Sequence, residues 1–150
     1  MMNRRNTALL LSLLMGLLLM GACSNNVWEE LPSRITTFIS EYFPEGGVKS
    51  YKHNDESSVV QLTNGATLTF DSENSWTEVD GNGVHLPEVF VYDQLPPALY
   101  NYLQGIEAQN DVYCAMRDAY YYKLTMHDTV ISYEISTGKI TYPDGRSLDS

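Results

Sequence analysis

His53, His85, His127 and Cys114 are the side chains of this chain most suited to catalysis, and their neighbourhoods decide what they can do. A thiol beside an imidazole would make a nucleophile and base pair. The local sequences are "YKHNDE", "TMHDT" and "DVYCAMRD", and none forms a nucleophile elbow. His53 and His127 fall in turns at strand ends, where a solvated role accounts for them. Alternation sets Cys114 on one face with Val112 and Met116, which describes a buried, inert thiol. A hydrolase would need Cys114 exposed near a histidine. No His-Glu-x-x-His or Cys-x-x-Cys spacing offers a zinc site, and no Gly-rich loop fits a phosphate. The "DSEN" of residues 71–74 gathers oxygens from Asp71, Glu73 and Asn74, and "DGNG" of residues 80–83 adds another acidic turn. Neither has the sixth-position Gly and terminal Glu of a calcium loop, and turn chemistry explains both. The expected site therefore has no catalytic residue, no metal ligand and no cofactor.

Aromatic residues offer binding instead. The chain has 11 Tyr, three of them consecutive in "AYYYKL". On a strand, Tyr120 and Tyr122 share a face with Leu124 and Met126, so Tyr121 points the other way with Lys123 and Thr125. If helices cover the apolar face, Tyr121 lies on an open sheet face. The same alternation adds Tyr51, Tyr113 and Trp76, which completes the candidate binding face. Tyr and Trp exposed on a sheet make good anchors.

The elements that must carry these residues begin with "MMNRRNTALLLSLLMGLLLMGAC". Arg4 and Arg5 precede an apolar run from Ala8 to Met20, and small residues Gly21 and Ala22 precede Cys23. This is the layout of an export signal over residues 1–22, too short for a comfortable membrane span. Removal of Arg4 and Arg5 from the 9 basic residues would leave 7 against 19 acidic ones, a net charge of −12. That balance excludes nucleic acid as a partner and a direct electrostatic grip on anionic lipid. Residues 23–30 read as a tether. "LPSRITTFISEYFPEGG" then places Ile35, Phe38, Ile39 and Tyr42 at helical spacing, with Pro44 and Gly46-Gly47 to stop the helix. "VKSYKH", "SSVVQLT", "ATLTF" and "SWTEV" read as strands, with an Asn64-Gly65 hairpin turn.

The pattern then repeats. A shift of 64 carries Leu31, Pro32, Ile35, Phe38, Ile39 and Tyr42 onto Leu95, Pro96, Leu99, Tyr102, Leu103 and Ile106. Val48 lands on Val112, and Asp80-Gly81 on Asp144-Gly145. Strands follow at "DVYCAM", "YYYKLTM", "TVISYEI" and "GKITY". The expected fold is α+β: two tandem units, residues 31–81 and 95–147, joined by a connector at 82–94. Each unit is too small to bury a core alone. Together they would form one antiparallel sheet with both helices on one face.

Two resemblances sharpen this expectation. "LMGAC" resembles the lipobox of bacterial lipoproteins, with Met20 in place of the usual Leu. It implies lipidation of Cys23 and a membrane anchor, in the cell envelope and by analogy at the outer membrane. The segment "LPSRITTFISEYFPEGGVKSYKHND", with "LTNG", "FDSENSW" and "VDG" after it, resembles the PepSY-like domain of exported Bacteroides-type lipoproteins. Residues 31–145 are covered, although the second copy lacks the Phe-Pro and Asn-Gly signatures. That resemblance implies a fold similar to β-lactamase inhibitor protein and no catalytic motif. PepSY domains proper occur in peptidase propeptides. The implied function is non-enzymatic binding of a protein partner, such as a peptidase, with surface glycan binding by exposed Tyr and Trp as the alternative.

Overall fold

The computed structural model describes residues 27–148. The export signal, the lipidation site Cys23 and part of the expected tether lie outside the described residues. Two units separate at Leu31. The described part of the first holds one helical turn, α1 (Val27–Glu30), which buries no side chain. No helix among the described residues is long and apolar enough to cross a membrane.

The second unit, from Pro32 onward, is α+β. Helix α2 (Ser33–Tyr42) is followed by β1 (Val48–His53), β2 (Ser57–Leu62), β3 (Thr67–Asp71) and β4 (Trp76–Asp80). Helices α3 (Glu88–Gln94) and α4 (Pro97–Gly105) come next. Strands β5 (Val112–Arg117), β6 (Tyr121–Met126), β7 (Val130–Glu134), β8 (Ile140–Thr141) and β9 (Ser147–Leu148) complete the chain. All nine strands form one open sheet in sequence order, each antiparallel to the next. Short connections permit this meander without a crossover.

Local sequence sets the element ends. Pro32, Pro87 and Pro96 stand immediately before α2, α3 and α4 with extended backbone, where a missing N–H costs nothing. The region expected to be an irregular connector thus contains the two-turn helix α3, which buries Phe90 and Val91. In the hairpin between β2 and β3, Gly65 takes the positive φ of 97° that the turn requires. Asn64 fixes the same turn by accepting the Ala66 N–H on its side-chain oxygen at 3.0 Å.

One sheet face is buried. Val60, Leu68, Val79, Ala115, Leu124 and Ile131 form a row in register across six strands, each almost wholly buried. The helices pack on this face. Phe38 of α2 meets Phe70 edge-on at 5.4 Å, and Phe90 of α3 meets Trp76 at 5.2 Å. Leu99 and Leu103 are the buried stripe of α4, and Tyr102 beside them hydrogen-bonds Tyr142. Ile106 lies past the end of α4 and is exposed, so the stripe is shorter than the spacing predicts. Burying each of the larger aliphatic side chains contributes roughly 1.5–3 kcal/mol.

Three β-bulges interrupt the alternation of faces. They fall between Val48 and Ser50, at Thr69–Phe70 opposite Trp76, and between Val112 and Cys114. At each, one extra residue on one strand puts the side chains on its two sides out of step with plain alternation.

Candidate functional site

No described element covers the second sheet face. A full row crosses it in register: Lys52, Val59, Thr69, Glu78, Met116, Lys123, Ser132 and Thr141. Most of this row is polar, as a solvated antiparallel face should be. Val59 on β2 is an exposed apolar residue of this face, and three more stand on β5–β7, where Met116 is 45% exposed, Tyr121 41% and Val130 39%. Beside them a groove of about 670 Å³ is lined by Tyr121, Lys123, Val130, Ser132, Tyr142 and Pro143. Tyr121 therefore stands where alternation put it, on the open face and opposite Glu134. Tyr122, Leu124 and Met126 face the core, while Tyr120 sits in the preceding turn and is exposed.

The other three aromatic positions fare differently, and the bulges explain why. Plain alternation sets Trp76 beside Glu78 on the open face. In the structure, Trp76 and Thr77 together oppose Phe70, so Trp76 turns inward and is 2% exposed. It is a core residue, not a surface anchor. Its indole N–H donates to Gln94 Oε1 at 2.8 Å, and Gln94 donates in turn to the Tyr42 hydroxyl at 2.6 Å. Tyr51 is corrected likewise. The bulge after Val48 pairs Tyr51 with Val60, on the helix-covered side of an edge strand. There it is half-buried and stacks on His53 at 5.1 Å. Tyr113 is itself the extra residue of the third bulge. It is half-buried between His85 and His127, at ring distances of 5.0 and 6.1 Å.

The third bulge also overturns the expected burial of Cys114. Val112 remains in the core, but Cys114 opposes Thr125 on the open face and is half-exposed. It lines a recess of about 450 Å³ with Glu78, Asp80, Tyr113, Met116 and His127. Ligand atoms of Glu78, Asp80 and Cys114 lie within 4.8 Å of one another, a grouping that sequence spacing does not reveal. The thiol donates to Glu78 Oε1 at 3.8 Å. Burial, then the charges of Asp80 and Glu78, push its pKa up to about 12. A thiol held protonated is a poor nucleophile. The acidic turns read as turns. Asp71 Oδ1 accepts the N–H groups of Glu73 and Ser75, each at 2.9 Å, and Asp80 Oδ1 accepts that of Asn82 at 2.8 Å.

Comparison with known proteins points to one family and indicates no enzymatic one. The family model described as "Putative beta-lactamase-inhibitor-like, PepSY-like" matches residues 27–74 and again residues 56–141. No match is found among the curated proteins. Among solved structures, a "putative periplasmic protein" of the DUF2874 family from Bacteroides vulgatus is similar, with a TM-score of 0.64 and 24% identity over 81% of this chain and 91% of its own. A "putative calcium-regulated periplasmic protein" from Bacteroides thetaiotaomicron gives a TM-score of 0.62 and 20% identity over 81% and 91%. A second Bacteroides vulgatus protein, described as of unknown function, gives 0.63 and 20% over 81% and 94%. At these identities the likeness is one of fold.

Proposed function

We propose, on the premise that this chain belongs to the PepSY-like family, that it is a non-enzymatic module of the bacterial cell envelope that binds a protein partner through its open sheet face. The observation that carries the reading is the cluster of Met116, Tyr121 and Val130 around Lys123, exposed beside a groove on an uncovered face. Such a cluster supplies aromatic and apolar anchors inside a polar rim, the arrangement that binding interfaces use. The partner class is a peptidase or another envelope protein, with this chain acting as a modulator. Fold kinship with inhibitors supports that class by analogy alone. The glycan reading loses two of its four stacking residues, because Trp76 and Tyr51 leave the face. The envelope location rests on the export-type leader and on similar proteins described as periplasmic. Lipidation at Cys23, anchoring it to the membrane, belongs to the same proposal.

The sheet is wide, in this proposal, because one unit was duplicated. The support is positional. The shift of 64 carries β1 onto β5 and β2 onto β6 residue for residue, and carries the bulge after Val48 onto the bulge after Val112. Bulges are structural features rather than sequence signatures, so their agreement is independent of the apolar match.

A retention experiment tests the binding reading. The chain with Cys23→Ser is immobilised, and a detergent extract of the producing cell's envelope is passed over it, with Tyr121→Ser run in parallel. The expected result is a protein retained by the first and lost by the second. Polysaccharide alone on the column would favour glycan binding, and equal retention by both forms would move the site off this face.

A further inference from the structure

On the helix side of the sheet, at the opposite face from Tyr121, two arginines line one small cleft. Arg34 comes from the first turn of α2 and Arg117 from the end of β5. Each is anchored by a backbone carbonyl: Arg34 Nη1 donates to Glu73 O at 3.2 Å, and Arg117 Nε donates to Trp76 O at 2.7 Å. The Arg117 guanidinium also lies over the Trp76 ring, with Cζ 4.1 Å from its centroid. Each side chain spends one of its five N–H donors this way. Neither guanidinium pairs with a carboxylate, since the one ion pair among the described residues is Arg146 with Asp144. This is notable in a chain of 19 acidic and 9 basic residues.

We infer that this cleft is a binding site for a single carboxylate, such as an acidic side chain or the C-terminus of a peptide. Two anchored guanidiniums, one lying over an indole, offer the planar fork that carboxylates accept in pairs. The remaining lining sets the ligand's size and charge. The cleft measures about 230 Å³, enough for one small group and its stem. Glu41 lines the same cleft, and Asp93 accepts the hydroxyl of the lining residue Tyr42 at 3.2 Å. These two negative charges oppose a dianion, so a carboxylate is preferred over phosphate. The site is independent of the open-face reading and stands or falls separately.

The test is nuclear magnetic resonance on the full-length, ¹⁵N-labelled chain in a neutral detergent, titrated with the monocarboxylate N-acetylglycine. The chain has two Trp, so one indole N–H reports on the cleft and Trp28 serves as an internal control. The expected result is a saturable shift of the Trp76 indole and Arg117 Nε–H signals, with Trp28 unmoved. Arg34→Gln should weaken this binding roughly tenfold, since it removes a charge-assisted donor. Arg117→Lys should weaken it while keeping the charge, and Lys139→Gln should leave it unchanged. Absence of a saturable shift would overturn the site, as would equal binding by Arg34→Gln or an equal loss in Lys139→Gln. Tighter binding of inorganic phosphate in the same assay would overturn the carboxylate assignment. Retention of the wild-type spectrum by the unliganded Arg34→Gln chain separates lost binding from lost fold.

Discussion

Cys114 gives the sharpest check on the reading of the open face. The residue is half-exposed, yet its pKa is pushed from the ordinary 9.0 up to about 12 by burial, Asp80 and Glu78, in that order. At pH 8, a thiol at the ordinary value is about one-tenth thiolate, whereas one at 12 is ionised in roughly one molecule in ten thousand. Alkylation by iodoacetamide should therefore run about a thousandfold slower in the native protein than in urea, because the thiolate is the reacting form. A Cys23→Ser chain makes the measurement clean, since the sequence has only two cysteines. Glu78→Gln removes a charge and turns the hydrogen-bond acceptor neutral, and should speed labelling about tenfold. Asp80→Asn should act in the same direction. Neither change should restore the unfolded rate, because burial is the larger cause. Native labelling within about tenfold of the unfolded chain would refute the argument. It would also reopen the thiol chemistry that His127, on the same recess, could assist.

Three further outcomes follow from the packing and the titrating groups. Trp76→Ala should cost about 3–5 kcal/mol in urea unfolding, as for other buried aromatics, while Tyr121→Ser should stay within about 0.5 kcal/mol; similar costs for the two would contradict their assignment to opposite faces. Gly81→Ala should lower Tm by several degrees, because a Cβ at Gly81 would stand 1.9 Å from the carbonyl oxygen of Val84, and unchanged melting would show that this turn relaxes freely. Burial raises the Tyr42 hydroxyl as it does the Cys114 thiol, so the folded chain holds both protons more tightly than the unfolded chain. Their contribution is complete below about pH 9 and is lost as pH climbs toward 12, so Tm should fall over that interval, and less steeply in Cys114→Ala.

Most of the architecture was legible because period and punctuation agree in this chain. Helix α2 follows from Ile35, Phe38, Ile39 and Tyr42 at helical spacing between Pro32 and Pro44, and the strands from alternating runs bounded by turn residues. The faces were less legible. Alternation assigns a side correctly only up to the first bulge, and a bulge in these strands has no mark in the sequence. Lys49, Thr77 and Tyr113 are the extra residues, and none is a glycine. Past each one the parity inverts, which sent Trp76 and Tyr51 to the helix side and Cys114 to the open side. Tyr121 escaped because the β6–β7 hairpin keeps its register throughout.

The same inversion accounts for the cleft that spacing could not predict. Arg34 and Arg117 are far apart in the chain and belong to no common motif. They line one cleft because the third bulge puts Arg117 on the helix side, opposite Tyr122, and the second turns Trp76 inward to receive its guanidinium. Without those two offsets Arg117 would lie on the open face, beside Lys123 and Tyr121. The bulges thus divide the chain's few cations between two faces, leaving Lys123 among the apolar anchors of one and an arginine pair in the cleft of the other. A sheet that alternated perfectly would present a single mixed surface, whereas this one presents two surfaces of different chemistry.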